Sequence, residues 1–188
     1  MKKQKLFMVL LGASVTGRLI EQHDVFFAVA NDLQQLIPSF EKAWPQAEVH
    51  IDAWRAVTLV DGHHISIGYE PSSTDLKLYF FNLGGYVPGD MEEHHHKALV
   101  VAKNQKEAIE KIKQSEFYQN RGYEGAQSHI DDKMSVDIDD VHVVNDLIAG
   151  GDIYLHISAN AVDEADDAWQ VGYLSLSKLA KQAPSIEA

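Results

Sequence analysis

One stretch of this chain occurs twice, and that recurrence limits what the chain can fold into more than any other feature. Residues 10–30 read LLGASVTGRLIEQHDVFFAVA, and residues 82–102 read NLGGYVPGDMEEHHHKALVVA. Without a gap, eight of the 21 positions are identical, among them Gly12/Gly84, Gly17/Gly89, Glu21/Glu93 and His23/His95. Ordinary composition gives about one or two such matches. Further on, HIDAWRAVTLVDGHHI (50–65) aligns with HIDDKMSVDIDDVHVV (129–144) at six of 16 positions, including His50/His129 and Asp52/Asp131. The offset grows between the two alignments from 72 to 79, which puts seven extra residues in the Gly- and polar-rich stretch 114–127. A tandem duplication explains both order and spacing. Two long copies fit a pseudo-symmetric pair better than a solenoid.

Each copy carries the same coarse elements. KLFMVLLG (5–12) and LKLYFFNLG (76–84) are continuous apolar runs ended by Gly, the pattern of buried strands, and VFFAVA and KALVVA follow as second strands. Asn31, Asp32 and Asn104 then stand as N-caps, with Gln34, Gln35 and Glu107 three residues on. Leu33, Leu36, Ile37, Phe40 and Trp44 recur at helical spacing, with Pro38 predicting a kink or a fresh start. EVHIDAWRAVTLV and HISIGY are joined at Asp61-Gly62, a favoured hairpin dipeptide. The unit is therefore β-β-α-β-β, and the fold class α+β. The expected architecture is a tandem pseudo-symmetric repeat with largely antiparallel sheets, closed by a C-terminal hairpin and short helix. The predicted boundaries are 1–70 for the first repeat and 76–158 for the second. Residues 159–188 supply a C-terminal strand and short helix packed on the second unit. IYLHIS is expected to extend the second sheet, and AVDEADDA to be a solvated hairpin tip.

Composition narrows the function classes. There are 28 acidic residues against 16 basic ones, a net charge of -12 over 188 residues, so phosphate backbones and anionic lipid are repelled. The partner expectation is no nucleic acid and no membrane, with a homo-oligomer or protein partner left open and the small-molecule ligand unspecified. With no cysteine, disulfides and thiolate chemistry are excluded, and any metal or acid–base chemistry runs through the ten His and the carboxylates. The opening MKKQKLFMVLLGASV has the look of a leader, but its apolar run continues into the repeated pattern and reads as a strand. No run reaches the ~18 apolar residues of a membrane span. The expected location is cytoplasmic.

Gly12-x4-Gly17-Arg18-Leu19 shares the frame of a phosphate-binding P-loop but lacks its Lys and hydroxyl, and a strand rather than a helix follows. Gly12, Gly17, Gly84 and Gly89 are instead expected as loop glycines supplying tight or positive-φ turns. Metal ligation has better material. Glu21-x-His23 and His50-x-Asp52 each place two donors on one face of an extended chain, as do Glu93-x-His95 and His129-x-Asp131. If the strands are neighbours, each copy gathers two His and two carboxylates, a donor set suited to Zn, Mn or Fe(II). The plainer reading, preferred on sequence alone, is that Glu and His bond one another and fix the loop after the first strand. Catalytic residues are not assigned: a Ser14, His23, Asp52 set has no motif behind it. The acidic run Asp163, Glu164, Asp166, Asp167 lacks the frame of a calcium loop.

The Leu-Gly-x4-Gly-x-x-Glu-x-His pattern, a helix ending near Trp44, His50-Ile51-Asp52 and Val60-Asp61-Gly62 together resemble the bacterial domain of unknown function 1543 family. The resemblance implies a two-copy member and no established activity. The second copy departs from it, with His96 in place of Asp24 and Asp139-Asp140-Val141 in place of Val60-Asp61-Gly62. Two functions are left. The first is a non-catalytic binding or assembly protein using an inter-repeat cleft or a sheet edge. The second is a metal-dependent, hydrolase-like enzyme with its His/carboxylate site in the first repeat, a divalent metal being its cofactor.

Overall fold

The computed structural model describes residues 3–86, 91–115, 136–148, 152–159 and 165–182. The chain divides into two compact units: Met1–Glu70 together with Ile148–Ala188, and Pro71–Leu147. Among the described residues every sheet is antiparallel and the helices are short, an α+β chain. Among the described residues no helix is long and apolar enough to cross a membrane.

The first unit follows the expected β-β-α-β-β order. Strands β1 (Lys5–Ser14) and β2 (Gln22–Ala30) are followed by a 3-10 turn (Leu33–Leu36) that runs into helix α1 (Ile37–Ala43). Then come β3 (Glu48–Val57), β4 (Leu59–Val60) and β5 (His63–Gly68). Asp32 accepts a bond from Gln35 N, and Gln35 Oε1 accepts one from Asn31 N, a reciprocal cap at the predicted place. Pro38 sits in the first turn of α1, where its missing N–H costs nothing, so it makes a fresh start and not an interior kink. Asp61 and Gly62 both have positive φ (52° and 69°), as a type I′ hairpin turn requires.

Central β1 is apolar throughout because both of its faces are covered. Phe7, Val9, Leu11 and Ala13 pack with Leu33, Leu36 and Phe40 of the helical layer, while Leu6 and Met8 are buried in alternation with them. Each large side chain so buried stabilises the unit by roughly 1.5–3 kcal/mol.

The chain tail does not go where its sequence pattern predicts. β9 (Tyr154–Ala159) pairs with β5, and β10 (Gln170–Ser175) pairs with β3 at the edge of a sheet ordered β10-β3-β1-β2. Both strands belong to the first unit. They are not a hairpin, they do not extend the second sheet, and the expected boundary at 158 with a tail packed on the second unit gives way to this one. The reason is local chemistry. The Asp167 carboxylate accepts bonds from Thr58 N (2.5 Å), Thr58 Oγ1 (2.7 Å) and Leu59 N (2.6 Å), where β3 breaks into β4. Asp166 accepts from Asp61 N (2.9 Å). This part of the acidic run is a clamp and not a solvated tip. Buried Arg55 donates to the Asp167 carbonyl and lies 4.9 Å from the Trp169 ring. Burial lowers the Arg55 guanidinium below its ordinary pKa, with Asp166 and Asp167 opposing that shift. The expected terminal helix is present as a short one (Leu176–Lys181) capped by Ser175, and its Leu179 joins the helical-side core.

The second unit is smaller. Strands β6 (Lys77–Tyr86), β7 (Glu93–Ala102) and β8 (Val136–Val143) form a sheet ordered β7-β6-β8. Helix α2 (Gln105–Lys113) covers it through Ala108 and Ile112, which meet Tyr79, Phe81 and Leu83. Asn104 caps α2 through Glu107 N. A four-residue helix α3 (Val144–Leu147) follows β8 where the repeat pattern predicts a second hairpin; Asp139, Asp140 and Val141 lie within β8 itself.

Candidate functional site

Gly12 lies inside β1, not in a turn, and it organises the site. It stands opposite His23 of β2 on one side and opposite His50 of β3 on the other. A Cβ at Gly12 would lie 2.3 Å from His50 Nε2 and 2.8 Å from Asp52 Oδ2. The missing side chain therefore leaves the space in which the His50 imidazole lies over β1. Of the four predicted loop glycines, Gly17 does take the positive-φ turn (φ 84°), Gly84 lies within β6, and Gly89 lies outside the described residues.

The β1–β3 register shifts between Leu10, which faces Ala53, and Leu11, which faces Ile51, so Asp52 is the extra residue of a bulge. Its carboxylate comes to His50 Nε2 at 3.2 Å and to His23 Nε2 at 3.1 Å. Glu21, just ahead of β2, reaches His50 Nε2 at 3.3 Å and His23 Nε2 at 3.6 Å. All four residues singled out in the first repeat thus meet in a closed ring of imidazole and carboxylate. His50 is 3% exposed, whereas the side chains of His23 and Glu21 are 44% and 39% exposed. None of the four approaches is a hydrogen bond, since His50 Nε2 and Asp52 Oδ2 are buried without a bonding partner and the Glu21–His23 approach is the longest. The polar atoms converge without pointing at one another. Glu21 lies within ion-pair distance of both imidazoles without a hydrogen bond to either.

A residue that sequence reasoning missed completes the surroundings. The Tyr173 ring lies 4.5 Å from the His50 ring, tilted by 35°. It sits where the β10–β3 register shifts between Val171 and Leu174, next to Gly172 with φ 141°. Only that Gly, next to an aromatic residue in an edge strand, hinted at it in the sequence.

In the second unit Gly84 of β6 faces His95 on one side and Asp137 on the other, with the register shift again falling one residue earlier, between Asn82 and Leu83. Asp137 thus holds the register position that His50 holds in the first unit. His129 and Asp131 lie outside the described residues. Glu93 and His95 do come together, at 4.0 Å.

The fold and site together define an α+β sheet protein with a His/carboxylate cluster beside a strand glycine. Residues 18–67, which carry Glu21, His23, His50 and Asp52, match the family described as Domain of Unknown Function (DUF1543). The fold of nearly the whole chain is similar to that of the protein Il1583 from Idiomarina loihiensis. That structure superposes with a TM-score of 0.62 at 21% sequence identity, covering 92% of this chain and 97% of that one. No curated protein sequence matches this chain.

Proposed function

We propose that the first unit is a binding module for a divalent first-row metal ion, held by Glu21, His23, His50 and Asp52. The observation that carries this reading is the pair of buried atoms, His50 Nε2 and Asp52 Oδ2, left without hydrogen bonds inside the ring of donors. A buried polar atom without a partner costs about 1–3 kcal/mol, and an ion at the centre satisfies all of them at once. Zinc binds nitrogen and oxygen at roughly 2.0–2.2 Å, so tetrahedral neighbours lie about 3.3–3.6 Å apart. The observed separations, from 3.1 to 3.6 Å, bracket that edge length. Mixed imidazole and carboxylate donors favour Zn, Mn or Fe(II) over Ca or Mg. Two carboxylates neutralise the ion, and the acidic balance of the chain favours a cation over a polyanion.

As they stand, no group of three or more such side chains among the described residues is arranged to hold an ion. Rotation of Glu21 and His23, the exposed members, is the adjustment that binding requires. Four protein donors make a closed shell, which supports binding without catalysis. A metal-dependent hydrolytic role is the second reading, supported by the exposure of Glu21, whose release opens a position for water. The paired registers around Gly12 and Gly84 support descent of the two units from one duplicated domain.

Titration of untagged protein with Zn²⁺, Mn²⁺ and Co²⁺ tests the proposal, with Glu21→Ala and His23→Ala alongside. The expected result is stoichiometric uptake in the native chain, weakened in both variants while both stay folded. No uptake, with a lowered melting temperature in both variants, sinks the metal reading and leaves a structural cluster.

A further inference from the structure

The His50 ring is held from two sides. On one side the Gly12 backbone leaves so little room that an added Cβ would meet Nε2 and Cε1, at 2.3 and 2.8 Å. On the other the Tyr173 ring lies 4.5 Å away, yet Tyr173 is itself 61% exposed. A half-exposed aromatic residue on an edge strand contributes little by its own burial, and its position here depends on local backbone geometry. Gly172 takes a positive φ that L side chains rarely adopt, and β10 gains one residue against β3 between Val171 and Leu174. One residue after that shift, Ser175 pairs with His50 itself. The same short strand thus supplies both the backbone partner and the ring partner of His50.

We infer that Tyr173 is the positioning residue of this site, clamping the His50 imidazole against Gly12 so that Nε2 stays beside the carboxylates, and that loading the site fastens β10 onto β3. The inference rests on the metal reading for the identity of the load. Its physical content is reciprocal: if β10 holds the ring that binds the ion, the bound ion holds β10. Removing a partner that orients a ligating His costs about 10–100-fold in metal affinity. The phenyl ring does the clamping, so the hydroxyl is dispensable.

The test compares the native chain, Tyr173→Phe and Tyr173→Ala. It uses Zn²⁺ titration, hydrogen exchange of the β10 amides and the ¹⁵N imidazole signal of His50. Tyr173→Ala is expected to weaken Zn²⁺ binding by about 10–100-fold and to broaden the His50 signal. Tyr173→Phe should match the native chain in both. Zn²⁺ should slow exchange in β10 of the native chain and not of Tyr173→Ala. Native affinity in Tyr173→Ala, or β10 exchange indifferent to bound Zn²⁺, overturns the inference. A native chain that takes up no ion sinks the metal reading and the fastening with it. The His50 signal in the alanine variant then still decides whether Tyr173 holds the ring.

Discussion

The two units put a glycine at the same place in the central strand and answer it differently. In the first, Gly12 lies between His23 and His50; in the second, Gly84 lies between His95 and Asp137. Both third strands carry an extra residue beside that position, Asp52 in one and Asp139 in the other. The backbone device is shared, and the change is one of donor type, imidazole for carboxylate. The two units thus share the backbone register around the glycine and differ in the residue type opposite it.

Three experiments strain that comparison. Gly12→Ala should have the largest effect. Its methyl collides with His50, so metal uptake is expected to vanish and stability to fall by about 1–3 kcal/mol, as overpacking does. Calorimetric titration and urea unfolding read both, and a variant that binds normally contradicts the role given to the glycine. Next comes Asp137→His, which rebuilds the first unit's donor pattern around Gly84. A second Zn²⁺ per chain is expected, and unchanged stoichiometry would show that register alone does not make a site. The smallest effect on the site itself is expected from Asp167→Ala, which leaves two backbone N–H groups at the β3–β4 break without their acceptor. A loss of about 1–3 kcal/mol is predicted for the first unit. Amide exchange should rise in β4 and β5 and stay unchanged in β6 and β7.

Much of the fold was legible in the sequence because it rests on local signals. Asp32 and Asn104 announce their helices, Asp61-Gly62 its hairpin, and the apolar run of β1 its burial on both faces. The Glu21, His23, His50, Asp52 cluster was legible for the same reason, since alternate residues of neighbouring strands share a face. What failed was non-local. The residue opposite Gly84 is Asp137, which no repeated motif singles out, while His129 and Asp131 lie outside the described residues. Likewise nothing in WQVGYLSL says which strand edge it will join; the three donors gathered by Asp167 decide that. Tyr173 was marked only by the Gly beside it, because its meaning lies in the strand it lands on.

The first unit is sewn together from two stretches of chain with the second unit lying between them in sequence. On the ribosome, β3 therefore emerges well before β10, its partner at the sheet edge. Until the tail is synthesised, that edge offers unpaired amides and carbonyls to any passing strand. Meanwhile the second unit, contiguous in the chain, can fold as its residues appear. Closing the first unit means joining segments more than a hundred residues apart, the slow kind of contact. Expression at low temperature, or with a holdase present during translation, should raise the yield of native protein more than either does when added after release.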